Sequence, residues 1–420
     1  MVRLFFLVCL YCGSLMLPHS AFSQGNLMIV GGGLEADNQE IFDEILRLSG
    51  GAEKAVISVI PAASGVAAQT FAYFSKGLIR HGAKAENIHL IPIAMEDDDS
   101  TLDVNEATWL NNGNDELLAN LVRKSNCVWF SGGDQLRIIK TLHLPDGSRT
   151  AVLDAVWDVF EKGGLIGGTS AGAAIMSDPM IGNGSSLEAL MYGAETSPPG
   201  EELPGHQGVL LTKGLGFFPH GLVDQHFHAR SRTGRLLVAM AYTAQPMAYG
   251  IDENTALVYY GKENLMKVAG AAAVTIFDAS HAKIESSETL SSIENLKIHY
   301  LESGDSYNFN TGLIVPSAEK ILLSGNEEYE ESYPFPGGMF APAPTFQRLI
   351  TKYLMNNKTN QSVSSLNFTE KDIAYQITLS KTDDSKAFIL NRENSSPSYT
   401  LQSVNLSLSK MHIELKKLNN

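Results

Sequence analysis

Five apolar runs, NLMIV, AVISVIPA, NIHLIPI, CVWF and GLIGG, carry almost no alternation of polar and apolar residues. A strand with one wet face alternates, so continuous runs of this length need cover on both faces. Amphipathic helical patterns lie between them, over Glu35–Leu48, AAQTFAYFSKGLIRHG, LLANLVRK, Gln135–Thr141 and Val152–Lys162. Strands separated by helices imply a mostly parallel sheet sandwiched between helical layers, an α/β architecture whose ligands collect at the carboxyl ends of the strands. The 420 residues are 44% hydrophobic and only 18% charged, enough apolar material for a large core and too little charge for a disordered chain.

The second half reads as β-rich. MAYGID, TALVYYG and VAGAAAVTIFDA are each expected to form a strand, and LKIHYLESGDSYNFN adds hairpin material. Beyond Ser317 the texture changes to a Pro/Gly connector, YPFPGGMFAPAP, a helix over FQRLITKYLMNN, and Ser/Asn/Thr-rich alternating runs. The expected organisation is therefore a signal segment over 1–24, a catalytic domain over 25–317, and a linker with a small β-rich extension over 318–420. Arg3, the apolar stretch Leu4–Leu17 and Ala21-Phe22-Ser23 form a secretory signal pattern, with cleavage expected near Ser23 or Gln24 and export to a periplasm or the exterior. The apolar stretch is short for a bilayer anchor, and no later segment is long enough to span.

Of three cysteines, only Cys127 lies outside the signal, so the remaining chain forms no internal disulfide. A net charge of −15 disfavours nucleic acid as a partner, because phosphate binding needs a basic field. A homodimer is compatible with the sequence. Glycines 31–33 match only the looser dinucleotide fingerprint. With no acidic residue closing the next strand, they read as a tight turn.

GTSAG, Gly168–Gly172, fits G-x-S-x-G between a strand and a helical run. Two readings fit the motif by itself, a glycine-rich packing turn and a nucleophile elbow that exposes Ser170 and aims the Ala171 N–H at a developing oxyanion. A serine needs a base, and the base a third group to orient it. Among eleven histidines, His226 and His228 stand out, in DQHFHARSRTGRLL. Arg230, Arg232 and Arg235 precede an apolar helical run there, although cations oppose the dipole at a helix start. An anionic ligand held by guanidinium forks explains them better than solvation. Glu253, in GIDENTAL, and Glu188, in SSLEAL, are the acidic candidates for the third role. Asp252 reads equally as a turn former.

FSGGDQLRI, GGTSAGAAIM, DQHFHARSRTGRLLVA and GIDENTALV, in this order, resemble the cyanophycinases of the S51 family of serine peptidases, which are related to aspartyl dipeptidase. The resemblance covers about Leu27 to Val315. It implies a class I glutamine amidotransferase-like three-layer sandwich with Ser170 as nucleophile, His226 as base and Glu253 as orienting acid, Glu188 being the alternative. It further implies a second oxyanion N–H from Gly133, and a substrate pocket lined by Gln135, Asp224, Gln225, Arg230, Arg232 and Arg235. The implied activity is hydrolysis of cyanophycin, a polyaspartate with arginine on each β-carboxyl, to β-Asp-Arg dipeptides, with neither cofactor nor metal. Peptidases for short aspartyl or isoaspartyl peptides, and a non-catalytic binding protein on the same scaffold, are the competing readings. Glutamine amidotransfer is disfavoured by serine in place of cysteine. His228 receives no role.

Overall fold

The computed structural model describes residues 25–332, 345–369, 372–391 and 396–414. The signal segment and the YPFPGGMFAPAP connector expected from the sequence lie outside the described residues. The apolar runs form β1 (Asn26–Val30), β2 (Ile57–Ile60), β3 (Ile88–Leu90), β4 (Cys127–Phe130) and β5 (Leu165–Thr169). All five are parallel, in the order β1-β5-β4-β2-β3.

Side chains alternate between the two faces, as a pleat requires. Met28, Val30, Val59 and Trp129 face α1 (Gln39–Leu48) and α2 (Ala67–Arg80), where Phe74 stacks on Trp129 with ring centroids 4.3 Å apart. Leu27, Ile29, Val128 and Phe130 face α3 (Glu116–Val122), α4 (Gln135–Leu142) and α5 (Ala151–Glu161). The helices begin where short polar side chains cap them. Asn38, Asp115, Asp134 and Thr150 each accept from a backbone N–H of the first turn. Cys127 is fully buried, and burial pushes its thiol up to about 12, so it is inert core. Among the described residues no helix is long and apolar enough to cross a membrane.

Four antiparallel strands extend this sheet beyond β1, starting with Thr255–Tyr260 and Leu265–Gly270. Among the described residues a second sheet, of ten strands, contains Leu222–Asp224, Met247–Ile251 and Ala273–Asp278. The sequence-expected single strand VAGAAAVTIFDA is in fact two strands in different sheets. Its ladder stops where the Ala271 N–H is diverted to the Asn254 carbonyl and the Ala272 N–H to the Thr255 hydroxyl. LKIHYLESGDSYNFN likewise splits. Leu290–Glu302 joins the second sheet, whereas Ser306–Asn308 pairs in the first.

The residues beyond 317 are β-rich, and their strands continue the second sheet. The long strand Ser398–His412 pairs with Leu290–Glu302 and, on its other edge, with Ile373–Ser380 and Lys386–Leu390. A buried ion pair pins the junction. Lys320 Nζ lies 2.8 Å from Asp305 Oδ2 and 3.0 Å from the Tyr399 carbonyl, and the Thr400 hydroxyl donates to the same Asp305 oxygen. Removing one partner of such a pair strands a charge in the core. Lys320→Ala is therefore expected to lower unfolding stability by about 3–5 kcal/mol, read from denaturant titration by circular dichroism.

Candidate active site

The carboxyl end of β5 runs directly into Ser170, which precedes the short helix α6 (Ala171–Ala174). Ser170 adopts φ 55°, ψ −108°, a backbone state that costs a non-glycine residue about 1–3 kcal/mol and persists only where its surroundings enforce it. They do so by close packing. A Cβ at Gly168 would fall 2.5 Å from the Gly172 carbonyl oxygen, and one at Gly172 would fall 2.4 Å from that of Phe130. The small residues of GTSAG are thus demanded by the turn, and the turn presents the hydroxyl.

Ser170 Oγ lies 2.8 Å from His226 Nε2, and His226 Nδ1 lies 2.6 Å from Glu253 Oε1. With Nδ1–H donating to the carboxylate, Nε2 keeps its lone pair toward the serine hydroxyl. Burial holds the imidazole below its ordinary midpoint, and Arg230 and Arg232 push the same way, while the Glu253 bond raises it. The ring is therefore neutral near pH 7 and able to accept a proton. Glu188 is engaged elsewhere. It forms a capping box with Ser185 at the start of the helix Ser186–Tyr192, its carboxylate accepting from the Ser185 N–H and hydroxyl.

His226 follows the strand Leu222–Asp224 with a positive φ of 46°, and Glu253 occupies the turn between Met247–Ile251 and Thr255–Tyr260. Both turns fold onto the glycines that end β1. The His226 N–H donates to the Gly31 carbonyl at 2.6 Å and the Asn254 N–H to that of Gly32 at 2.7 Å. Gly32 has φ +104°, and a Cβ there would sit 2.2 Å from His226 Cε1. The glycine run reads from the sequence as a turn. Its further task, leaving room for the imidazole, has only the three consecutive glycines as a signal.

A hollow of about 420 Å³ opens beside Ser170, lined by Gly133, Gln135, Gln225, Arg230, Arg232 and Arg235 and by the loop Glu202–His206. The arginines are not equivalent. Arg230 is exposed, and Arg232 donates to the Gln225 carbonyl at 2.6 Å, its basicity pushed down to about 10 by burial and by Arg235. Arg235 is buried. Its Nε donates to Asp224 Oδ2 at 2.8 Å, its Nη2 donates to the other Asp224 oxygen, and its Nη1 donates to the Gly184 carbonyl at 2.8 Å. Asp224 is 1% exposed and lies behind the wall, holding Arg235, rather than in the lining. The Gln135 amide donates to the Ile181 and Gly182 carbonyls. The acids that line the hollow are Asp134, which caps α4, and Glu202, a residue the sequence reading did not single out. A second, more apolar hollow of about 400 Å³ reaches Ser170 and His226 from another side, walled by Leu34, Val59, Tyr73, Phe74 and Trp129.

Residues 27–266 match the model of peptidase family S51. The chain is 30% identical over 298 residues to a cyanophycinase of Geminocystis herdmanii, covering 69% of this chain and 96% of that protein. It is 37% identical over 204 residues to a cyanophycinase of Synechococcus elongatus, covering 47% and 56%. A crystal structure of a peptidase from an acI-B1 actinobacterium superposes with a TM-score of 0.47 at 19% identity, over 69% of this chain and 98% of that one. The chain belongs to peptidase family S51, a family of serine-type hydrolases.

Gly32→Ala adds one methyl group against the imidazole. It is expected to lower kcat/KM by about a hundredfold, the scale of a 1 Å misplacement of a reacting group, with the fold retained by circular dichroism.

Proposed function

We propose that the chain is an exported exopeptidase that hydrolyses the backbone amides of cyanophycin to release β-Asp-Arg dipeptides through an acyl-enzyme on Ser170. The observation that carries this reading is the hydrogen-bonded line Ser170–His226–Glu253 at the rim of a guanidinium-lined hollow. The names of the relatives support the substrate, since each is a cyanophycinase. The signal pattern in the first 24 residues supports export.

In the first half-reaction Ser170 Oγ attacks the scissile carbonyl carbon while its proton passes to His226 Nε2. Glu253 stabilises the imidazolium, and the Ala171 and Gly133 N–H groups receive the oxyanion. Collapse breaks the C–N bond, and His226 returns the proton to the leaving amine. Water then attacks the ester, giving one proton to His226. Collapse breaks the ester C–O bond, Oγ regains that proton from His226, and the released carboxylic acid gives the other water proton to solvent. Arg230 and Arg232 clamp substrate carboxylates, and Gln135 and Gln225 supply amide groups to the polar wall. Glu202 and Asp134 offer negative charge to the arginyl guanidinium, a task that Asp224, bound to Arg235, is poorly placed to perform.

The experiment is incubation of the purified protein with insoluble cyanophycin and mass analysis of the soluble products. Wild type is expected to yield β-Asp-Arg, and Ser170→Ala to yield none while still binding the polymer. Faster hydrolysis of Asp-X dipeptides than of polymer would overturn the substrate, and full activity in Ser170→Ala would overturn the nucleophile.

The reaction needs His226 unprotonated, and its pKa is depressed, so activity persists as pH falls until the lowered midpoint is crossed. The acidic limb of kcat/KM is expected below the ordinary imidazole midpoint of about pH 6.5, as read from a pH–rate profile.

A further inference from the structure

His228 lies two residues from the proposed base and plays no part in the scheme above. It nevertheless has a built environment. Its backbone N–H donates to Asp252 Oδ1 at 2.9 Å, and its Nδ1 lies 2.8 Å from Asp252 Oδ2. The same Asp252 oxygen accepts the Ala273 N–H at 3.3 Å. Both side chains are largely buried, at 11% and 8% exposure, whereas the Glu253 side chain is 45% exposed. Two adjacent loops are thus joined by two imidazole–carboxylate rungs: 226 to 253, facing the nucleophile, and 228 to 252, facing the interior.

The outer face of the second rung is covered by the C-terminal extension. The Phe346 ring stacks on the His228 imidazole at 5.4 Å between centroids and 19° between planes. Beside it, the Gln347 amide donates to the buried Tyr300 hydroxyl at 2.9 Å. The extension lies outside the matched span 27–266.

We propose that His228 and Asp252 are positioning residues, and that the C-terminal extension, through Phe346, holds the turn that presents Glu253 to His226. The inference rests on the catalytic reading above. A half-exposed carboxylate on a turn is located mainly by the backbone that carries it. That backbone is fixed on one side by the Asn254 N–H to Gly32 bond and on the other by the buried Asp252 clamp. His226, itself in a strained conformation, is bracketed in the same way by the Gly31 bond and by His228. Loosening the second rung lets the first lengthen, and the base loses the orientation that proton transfer requires.

The test uses the full chain and a reactive fluorophosphonate probe, which reports the competence of Ser170 whatever the natural substrate. Wild type is expected to be labelled at Ser170. His228→Ala and Phe346→Leu are expected to lower the maximal labelling rate by about tenfold with the half-saturating probe concentration little changed, the signature of lost orientation rather than lost binding. Phe346→Tyr, which keeps the stacked ring, restores the rate to within about threefold of wild type. If His228→Ala fails to fold, Phe346→Leu, at a half-buried position and retaining apolar volume, carries the decision. Wild-type labelling rates in the folded variants would overturn the positioning role, as would Phe346→Tyr being no faster than Phe346→Leu. An unlabelled wild type would instead sink the catalytic reading and this inference with it, so the two failures are told apart.

Discussion

Everything at the site depends on a crowded point at the carboxyl end of β1, where backbone passes so close to an imidazole that no side chain fits. Gly31 and Gly32 there accept hydrogen bonds from the loops that carry His226 and Glu253, and β5, hydrogen-bonded alongside β1, delivers Ser170 to the same edge. Three residues distant in the chain meet because one sheet edge receives all three connections. The strain at Ser170 and His226 is sustained by this convergence. Each positive φ is held by bonds to neighbours that are themselves buried.

The two sheets share the labour. The parallel sheet brings Ser170 to its carboxyl edge, where α/β folds gather ligands. The second sheet ends in Asp224 on one strand and leads into Asp252 from another, and thus sets the loops of His226 and Glu253 against the first. Because the C-terminal strands complete that second sheet, and Lys320 is buried against Asp305 where they join, the extension is integrated into the same framework.

Much of this was legible in the sequence, for identifiable reasons. Short apolar runs bounded by helical patterns read as two-sided strands, which β1, β2, β4 and β5 are, whereas β3, at the sheet edge and carrying His89, is only partly buried. GTSAG needs a glycine at 168 to clear the Gly172 carbonyl, a requirement within the motif, and one at 172 to clear Phe130 on β4. Three features are not local. The break at Ala271–Ala272 depends on acceptors that come from Asn254 and Thr255, and nothing within VAGAAAVTIFDA announces it. The location of Asp224 behind the wall depends on Arg235, in the first turn of the helix Thr233–Thr243. The choice between Glu188 and Glu253 as partner of His226 is spatial. Ser185 gives Glu188 a capping role that the sequence SSLE does encode, with serine three residues before glutamate, ahead of an apolar helical run.

The pairing of Asp224 with Arg235 gives the hollow a layered electrical character. Arg235 in the wall and Asp224 behind it, locked together, present a dipole, whose reach falls off faster than that of a lone charge. Long-range attraction therefore originates with the guanidiniums nearer the mouth, Arg230 foremost. Deeper in, Arg235 has Nε and both terminal nitrogens committed to Asp224 and the Gly184 carbonyl, so its guanidinium is a rigid part of the wall. The positive charge of the hollow is thus concentrated at its entrance, with its floor held by paired groups.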